Sequence, residues 1–539
     1  MSPSLHKDGP PAPSDQAPLD VGQRSLPPFR RVLVANRGEI AVRIVRACRE
    51  LGTESVAVYS DRDAGALHVR LADEAVRLGP ASPSESYLDT DAILTAATAA
   101  GCDAVHPGYG FLSERAEFAA AVEAAGMTFV GPSPAAIAAL GDKLTARRLA
   151  RDVDVPVVPG TLEAAPVDSA SRIEETVEAA RRIGFPLLVK AAAGGGGRGM
   201  RRVETADALP AALATASAEA ASAFGAGAVY LEREIRPARH VEVQLLGDRA
   251  GTVVALGERD CSVQRRHQKL LEEAPAPGLT AEERARLHDF AVRLGRAAGL
   301  TNAATAEFLF DTDRRFWFLE VNTRLQVEHG VTELVTGIDI VHEQFAIAAG
   351  RPLSSAVIEA TAQAARPSRH AIEVRLTAED PGRGFVPTPG RITTWQMPGG
   401  PGVRVDSGVE AGDVVPPEYD NLVAKIMVVA GNRDGAVDRL ERALSEAWVG
   451  GLQTTLPFHR AVARDPAFRR GDVSIDWLEE RWDGRAARGE IAKRAAIAAA
   501  AFAREVDVPG ACDPVPARPS PVDGWLPAGR REAVDGWPR

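Results

Sequence analysis

Residues 190–200 read Lys190-Ala-Ala-Ala-Gly-Gly-Gly-Gly-Arg-Gly-Met200 and directly follow the apolar run Phe-Pro-Leu-Leu-Val at 185–189. The pattern predicts a buried strand that delivers a lysine to a loop with almost no side chains. Such a loop suits polyphosphate binding, because backbone N–H groups can approach the phosphates while the ammonium meets their charge. It is not a Walker A loop, since no Gly-Lys-Ser/Thr follows the glycines. A flexible glycine-rich linker is the alternative interpretation.

Upstream of this loop, short apolar runs alternate with segments of helical periodicity. The predicted strands are 32–35, 56–59, 102–105 and 127–130, and the helices between them begin near Ile40, Ala92 and Glu114. Alternation of this kind predicts a doubly wound parallel sheet. A further helix, from Pro134 to about Asp152, carries the sequence Gly141-Asp142-Lys143 out of this unit.

Around and after the glycine loop the pattern changes twice. Helices at 173–183 and 206–224, with strands at 186–190 and 229–234, predict a small α+β lid. Strands at 241–246, 252–258, 305–310 and 316–321, with a helix at 281–298, predict a β-rich core. From His370 a third, mainly β unit is predicted, with strands at 371–376, 390–394, 403–406 and 424–429. The predicted fold class is therefore mixed α/β and α+β.

Composition narrows the possible functions. The chain has 539 residues, 45% hydrophobic and 25% charged, with a formal net charge of −10. No long basic run supports nucleic-acid binding, no run of about 18 apolar residues predicts a membrane span, and no secretory signal is evident. The four cysteines, Cys48, Cys102, Cys261 and Cys512, are far apart. Their spacing argues against a zinc site or a disulfide framework, and we predict a cytoplasmic protein.

Two acids interrupt the hydrophobic strands of the predicted core. Glu307 lies in Thr-Ala-Glu-Phe-Leu-Phe, and Glu320 lies in Phe-Trp-Phe-Leu-Glu-Val-Asn. A buried carboxylate usually faces a cation, because burying it alone is costly. A hairpin would place the two acids side by side, with Asn322 two residues further on the same face. Hard oxygen ligands of this kind suit Mg²⁺. The alternative places both acids on the solvent face of an amphipathic strand.

Three polar segments supply further candidates, at 106–114, 258–269 and 322–329. Arg324 presents a planar fork suited to a carboxylate or bicarbonate, and Glu328 would act as a base if its site raised its pKa. His240 and His267 have no second histidine at ligand spacing, so hydrogen bonding near a nucleotide is favoured over metal binding. Surface loops and structural histidines are the alternatives. Cys261 has no evident base beside it and is predicted to be inert.

Taken together, these segments resemble biotin carboxylase, the ATP-grasp component of biotin-dependent acyl-CoA or pyruvate carboxylases. The resemblance covers about residues 30–482. The matching stretches are 33–41, 106–114, 141–143, 190–200, 239–242, 259–269, 320–329 and 370–381. It implies an N-terminal α/β domain at 30–145, an ATP-grasp domain at 146–350 with a mobile lid at about 160–235, and a C-terminal β-rich domain at 365–482. Residues 1–29 and 483–539 are predicted to be disordered tails.

The resemblance also assigns roles to individual residues. The implied ATP contacts are Lys143, Lys190, Gly194, Gly195, Gly196, Gly197, Glu232, Arg233, Ile235, His240, Gln264 and His267. The implied ligands of Mg²⁺ or Mn²⁺ are Glu307, Glu320 and Asn322. The implied bicarbonate and biotin residues are Lys269, Arg324, Gln326, Val327, Glu328, Arg375 and Tyr109, with Glu328, Arg324, Lys269 and Arg375 as the catalytic set.

The implied reaction is the carboxylation of biotin through carboxyphosphate, with ATP and bicarbonate as the other substrates. Glu328 would deprotonate bicarbonate, and Arg375 would stabilise the biotin enolate. The chain lacks the Ala-Met-Lys-Met biotinylation sequence, so we expect biotin on a separate carrier protein, a carboxyltransferase subunit in trans, and a homodimer or larger complex. Gly330 stands where the family usually has proline, which should loosen the turn after Glu328. Another ATP-grasp ligase, or a catalytically inactive nucleotide-binding subunit, are the alternative functions.

Overall fold

The computed structural model describes residues 27–164, 170–192, 200–224, 227–486 and isolated positions between 489 and 500. The predicted phosphate-loop residues Gly194–Gly197 lie outside the described residues. Most of the two segments predicted as tails, 1–29 and 483–539, also lies outside them. Within the described residues, none of the helices combines the length and the apolar composition needed to cross a lipid bilayer.

The N-terminal region forms the predicted doubly wound sheet. Its five strands are all parallel and lie in the order β3-β2-β1-β4-β5. Its elements are β1 (Arg31–Val34), α1 (Gly38–Leu51), β2 (Glu54–Ser60), α2 (Leu67–Leu71), β3 (Glu74–Gly79), α3 (Thr90–Ala99), β4 (Ala104–His106), α4 (Ala116–Ala124), β5 (Thr128–Phe129), α5 (Pro134–Gly141) and α6 (Lys143–Asp152). Strand β3 was not predicted, because an edge strand is only half-buried and its sequence alternates weakly.

A small antiparallel sheet follows, with strand order β7-β6-β8. Its elements are α7 (Ala170–Ile183), β6 (Leu187–Ala191), β7 (Arg201–Val203), α8 (Leu209–Phe224) and β8 (Val229–Arg233). The apolar side chains of Leu187 and Val189 pack with Leu213 of α8 in a core of their own. Alternation along β6 therefore buries the leucine and valine and leaves Lys190 at the rim, where the strand meets the glycine loop.

The next region supplies the centre of the molecule. Its elements are β9 (Ala238–Gly247), β10 (Val253–Arg265), β11 (Gln268–Ala274), α9 (Ala281–Ala297), β12 (Asn302–Asp311), β13 (Phe316–Asn322), α10 (His329–Thr336), α11 (Ile340–Ala348) and α12 (Ser355–Gln363). Helix α9 begins at a capping box, in which Thr280 and Glu283 each satisfy a backbone N–H of the other. Segment 258–269, recognised from the sequence only as polar, forms a hairpin. Its turn residues Arg266 and His267 have left-handed φ angles of 48° and 66°.

The C-terminal region is β-rich, as predicted. Its elements are β14 (His370–Thr377), β15 (Glu379–Asp380), β16 (Val386–Pro387), β17 (Gly390–Arg391), β18 (Thr394–Gln396), β19 (Val403–Ser407), β20 (Val414–Val415), β21 (Leu422–Ala430), α13 (Arg433–Glu446), β22 (Trp448–Gly450), α14 (Leu456–Arg464), α15 (Pro466–Arg470) and α16 (Trp477–Arg481). Its core buries Ile426 and Val428 of β21 against Leu440 of α13.

One antiparallel sheet joins the central and C-terminal regions. Its strand order is β13-β12-β9-β10-β11-β14-β21-β19. The sheet brings β12 and β13, which carry Glu307 and Glu320, into one surface with β14 and β21. Helix α10 packs against β10, β11, β14 and β21, and it starts immediately after Glu328. The sheet and this helix together position the candidate site.

Candidate active site

The two acids of the hydrophobic strands lie side by side. Strands β12 and β13 form the predicted hairpin, in which Glu307 is paired in register with Glu320 and Thr305 with Asn322. The hairpin is held from its other face, where the rings of Phe308 and Phe318 meet edge to face at 5.8 Å. Cross-strand neighbours share one face of a sheet, so both carboxylates and the Asn322 amide point to the same side.

In this structure both acids face cations of the protein itself. Oε1 of Glu307 lies 2.9 Å from Nζ of Lys269, and Oε2 lies 3.0 Å from Nε2 of His240. Asn322 donates an amide N–H to Glu307 over 2.7 Å, and Lys143 pairs with Glu320 at 2.5 Å. Burial opposes ionisation of Glu307, but Lys269 and His240 outweigh it and hold its pKa well below the usual value. The carboxylates of Glu307 and Glu320 and the amide oxygen of Asn322 are hard oxygen donors of the kind that suits Mg²⁺.

Lys269 connects this pair of acids to the rest of the site. Its ammonium contacts Glu242 at 2.5 Å and Glu328 at 2.8 Å, in addition to Glu307. The fully buried guanidinium of Arg259 supports Glu242 from behind, with Nε 2.5 Å from the carboxylate. Arg259 also donates to Thr305 and Thr332, so it ties β10 to β12 and to α10. This network keeps the Lys269 side chain in one place.

Glu328 has no solvent exposure and lies between two cations. Its Oε1 accepts from Lys269, and its Oε2 lies 2.9 Å from Nη2 of Arg375. The Cys261 thiol approaches Oε1 to 3.9 Å. Burial acts to raise the pKa of Glu328, but Lys269, Arg375 and Arg259 together lower it well below its ordinary value. The raised pKa that Glu328 would need to act as a base is therefore absent, and the two cations favour its ionised form.

Arg324 joins two of the polar segments. Its Nη1 donates to the Gln326 side chain over 2.9 Å, and its Nε lies 3.1 Å from the Glu114 carboxylate. Gln326 in turn reaches Glu307 at 3.4 Å. Segments 106–114 and 322–329, which are 208 or more residues apart in the chain, thus meet at one guanidinium. An arginine held in this way presents donors for a small planar anion.

Arg375 and Tyr109 lie at the other side of Glu328. Arg375 pairs with Glu272, 2.6 Å from its Nε, as well as with Glu328. Burial and the nearby Glu328 charge raise the pKa of Glu272 to about 7, although Arg375 opposes the shift. The Tyr109 hydroxyl donates to Glu39, the second residue of α1. Tyr109 lies in the segment that follows β4, and Arg375 lies on β14.

The predicted nucleotide residues come from several elements. Lys190 pairs with the buried Glu232, and Glu232 also pairs with the fully buried Arg147 of α6. Lys143 is the first residue of α6, where Asp142 caps the helix by accepting from Thr145. The remaining predicted contacts lie on β8–β10 and the segments beside them; Ile235, His240 and Gln264 are buried, Arg233 is half-buried, and His267 is exposed at the β10–β11 turn.

Sequence reasoning missed the residues that hold the site from behind. Arg147, Glu242, Arg259 and Glu272 were given no role, although each is buried and contacts a predicted site residue. Lys425 was missed as well. Its place inside the apolar run Leu-Val-Ala-Lys-Ile-Met-Val-Val-Ala could have revealed it. A charge within a buried strand needs partners, so such a lysine indicates buried acids around it.

Family profiles match most of the chain. Residues 28–137 match the biotin carboxylase N-terminal domain, and residues 373–480 match the biotin carboxylase C-terminal domain. Residues 142–356 match the ATP-binding domain of the carbamoyl-phosphate synthase L chain. The name of the central profile would also fit an ATP-grasp ligase that acts on carbamate. The two flanking profiles carry the name biotin carboxylase, and they therefore favour that function over the other ligase.

Whole-chain relatives agree with those flanking domains. Biotin carboxylase 1 of Bacillus subtilis is 47% identical over 452 residues, which cover 84% of this chain and 98% of the relative. The chain belongs to the biotin carboxylase family. A biotin carboxylase complex from Campylobacter jejuni has a TM-score of 0.80 at 42% identity, covering 84% of this chain and 99% of that one. The chain is therefore an ATP-grasp ligase that carboxylates biotin at the expense of ATP.

A third comparison concerns ligands. The biotin carboxylase domain dimer of 2-oxoglutarate carboxylase from Hydrogenobacter thermophilus was solved with MgADP, ADP and bicarbonate. It has a TM-score of 0.79 at 42% identity and covers 84% of this chain and 97% of that one. In this chain Lys269 lies beside both Glu307 and Glu328.

Proposed function

We propose that this chain transfers a carboxyl group from bicarbonate to biotin on a carrier protein, with Glu328 as the base. The observation that carries the proposal is the position of Glu328, fully buried and ionised between Lys269 and Arg375. A carboxylate acts as an acceptor only when a proton donor reaches it, and the two cations also attract an anionic substrate. Arg324, held by Glu114 and Gln326, offers that anion a further pair of donors.

The nucleotide side of the proposal rests on the paired acids. Glu307, Glu320 and the Asn322 amide would hold Mg²⁺ or Mn²⁺, and Lys143 and Lys190 would meet the ATP phosphates. When bound, the metal would neutralise the charge that builds up on the phosphates during phosphoryl transfer. In the structure Lys143 pairs with Glu320, Lys190 with Glu232 and Lys269 with Glu307, so the three ammonium groups have defined positions. The Hydrogenobacter relative, which binds MgADP and bicarbonate, supports the same arrangement.

In the proposed reaction, Glu328 takes the proton of bicarbonate while a bicarbonate oxygen attacks the γ-phosphorus and ADP leaves. The resulting carboxyphosphate breaks into CO₂ and phosphate. Phosphate takes the N1′ proton of biotin, and the biotin nitrogen then forms a bond to CO₂. Arg375 stabilises the enolate form of biotin by its charge, and Tyr109 lines the biotin side. Positioning and charge supply most of the catalysis, because the protein forms no covalent bond in these steps.

The proposal extends to partners. A biotin carrier protein presents the acceptor, and a carboxyltransferase consumes carboxybiotin in the next step. A homodimer is proposed as well, since the Hydrogenobacter relative is described as a dimer. The cytoplasmic location predicted from the cysteine spacing is part of the same proposal.

The test is ADP release by the purified chain with MgATP, with and without bicarbonate and free biotin. We expect release that requires bicarbonate, rises with biotin and falls at least about 100-fold in Glu328→Gln, as expected when a base is removed. Glu258→Gln is the matched control, because Glu258 is an equally buried acid that pairs with Arg284 and His288 instead. Release that ignores biotin would support another ATP-grasp ligase. Release that ignores bicarbonate, or survives in Glu328→Gln, would overturn the proposal.

A further inference from the structure

We propose that Lys425 is a positioning residue for the bicarbonate-site loop, defined as residues 322–329, and that it acts through the Val327 carbonyl. The inference rests on the proposed function, because it takes this loop to bind bicarbonate beside Glu328. Lys425 contacts none of the proposed reacting groups. Its effect would therefore pass through the backbone of the loop.

The contacts of Lys425 support this role. The residue lies in the middle of β21 and has no solvent exposure. Its ammonium donates to the Val327 carbonyl over 2.7 Å. Two acids surround the same nitrogen, with Glu39 at 3.3 Å and Asp406 at 3.9 Å. A buried ammonium needs such partners, so the lysine and its acids are held together as a unit.

The three partners come from distant parts of the chain. Glu39 belongs to α1 of the N-terminal region, Asp406 to β19, and Val327 to the bicarbonate-site loop. Lys425 is paired in register with Arg375 on β14 and with Asp406 on β19, so it lies on the sheet face that carries the Glu328 partner. The lysine therefore fixes the loop relative to the strand that supplies Arg375.

The loop is tied at two successive carbonyls. His329 Nδ1 lies 2.7 Å from the Gln326 carbonyl, and Lys425 holds the Val327 carbonyl. Orienting the Val327 carbonyl orients the peptide that leads into Glu328, because the peptide unit is planar. The Val327 and Glu328 backbone is thereby fixed before any substrate arrives. Preorganisation of this kind increases the affinity for a substrate, because less of the loop has to be ordered on binding.

Glu39 gives the arrangement a second function. It accepts from the Tyr109 hydroxyl and pairs with Lys425. A chain of contacts thus leads from Tyr109, on the proposed biotin side, through Glu39 and Lys425 to Val327. The loop that receives bicarbonate and the rim that receives biotin share one buried lysine.

The test replaces Lys425 by methionine, which keeps the length of the side chain and removes its charge and donors. We expect the KM for bicarbonate to rise roughly tenfold, as the loss of a charge-assisted hydrogen bond implies, with the KM for MgATP changed less than about twofold. Hydrogen exchange of peptides covering 322–331 should speed up, whereas peptides covering 433–446 should not change. Because Lys425→Met leaves Glu39 without its cation, Lys425→Met/Glu39→Gln provides a second variant in which that acid is also removed, while Asp406 keeps its pair with Arg404.

Arg433→Met is the matched control. Arg433 is a half-buried cation that pairs with Glu273 and donates to the carbonyls of Phe468 and Arg469, away from the loop. Its loss should lower Tm without changing the bicarbonate KM. The positioning role would be overturned if Lys425→Met changed kcat and both KM values in the same proportion as Arg433→Met does. Unchanged hydrogen exchange at 322–331 would overturn it as well. If the wild-type chain showed no bicarbonate-dependent ADP release, the proposed function would be refuted instead. The positioning role could still be tested, because hydrogen exchange needs no turnover.

Discussion

The Lys269 ammonium lies 2.8 Å from Oε1 of Glu328. The same nitrogen lies 2.9 Å from Oε1 of Glu307, so one cation is shared between the proposed base and the proposed metal ligand. Burial disfavours the charge of Lys269, but the surrounding carboxylates raise its pKa well above the ordinary value. Lys269 therefore influences both the pKa of Glu328 and the charge around Glu307.

Removing Lys269 should weaken the acid strength of Glu328. In Lys269→Gln the carboxylate loses its nearest cation, so its pKa rises. A base works only when ionised, so activity is lost as pH falls through that pKa. We expect the acid limb of kcat/KM for bicarbonate-dependent ADP release to move to higher pH by about one unit or more, with a lower plateau. Arg284→Gln, which removes a cation beside Glu258 on the same sheet, should leave the limb in place. An unmoved limb in Lys269→Gln would contradict the assignment.

The paired acids should control the metal requirement. Glu320→Gln removes one ionised ligand and leaves Lys143 unpaired, and we expect the Mg²⁺ concentration for half-maximal ADP release to rise about tenfold. Glu307→Gln should have a larger effect, because Glu307 also contacts Lys269 and His240. The measurement is a Mg²⁺ titration at fixed ATP, with Glu258→Gln as the control acid. A Mg²⁺ midpoint that stays at the wild-type value would exclude both residues as ligands.

Gly330 should not tolerate a side chain. It is buried in the first turn of α10, where a Cβ atom would lie 2.3 Å from Sδ of Met427. We expect Gly330→Ala to lower the free energy of unfolding by about 1–3 kcal/mol, measured by urea denaturation, because overpacking strains a filled core. In Gly330→Ala/Met427→Val the thioether is gone, so the combined loss should be smaller than the sum of the single losses. Additive losses would show that the two residues do not compete for the same space. That Gly330 loosens the turn after Glu328, as expected from the sequence, stays a prediction.

Buried histidines should make the fold sensitive to mild acid. Burial lowers the pKa of His68 and His459 to about 4 and that of His106 to about 3. Between pH 6 and pH 5 each binds a proton in the unfolded chain but not in the folded one, so stability falls as pH falls. Each contributes about 1.4 kcal/mol per pH unit in that window.

The check is the free energy of unfolding from urea titrations at pH 7, 6 and 5. In His459→Gln the free energy of unfolding should change less steeply with pH, by the contribution of one histidine. This holds whatever the substitution does to stability at pH 7. His342, which is partly exposed, provides the control position for the same substitution. A slope that His459→Gln leaves unchanged would mean that His459 is protonated in the folded protein.

Much of the fold could be predicted because local patterns report it directly. The parallel N-terminal sheet followed from apolar runs alternating with helical periodicity, and the β12–β13 hairpin followed from two strands joined by a short polar turn. The β10–β11 hairpin was not predicted beyond residue 258, because its strands carry many charged residues. Arg259 pairs with Glu242 of the neighbouring strand β9, and Glu273 pairs with His370. All four side chains are buried, and no local pattern reveals such pairs.

Part of the candidate site could also be predicted from local sequence patterns. Glu307 and Glu320 stand out as acids within apolar strands, and Glu328 lies in a polar segment. Resemblance to a family named the roles of all three. The pKa of Glu328 could not be predicted, since it depends on Lys269, Arg375 and Arg259. Those three cations lie 59, 47 and 69 residues from Glu328 along the chain. Charges act through space, so only the folded arrangement shows whether a buried carboxylate is neutral or ionised.

The amino-acid sequence by itself determined the order of the elements, the family and the chemical types available at the site. Periodicity and turn residues encode local structure, and side-chain chemistry is independent of position in space. The tertiary structure alone decided which residues meet. It joined β11 to β14, and so brought Lys269, Arg375 and Lys425 around the segment that carries Glu328. Strand pairing between distant segments depends on packing of the whole sheet, and the ionisation of the base depends on the charges which that pairing collects.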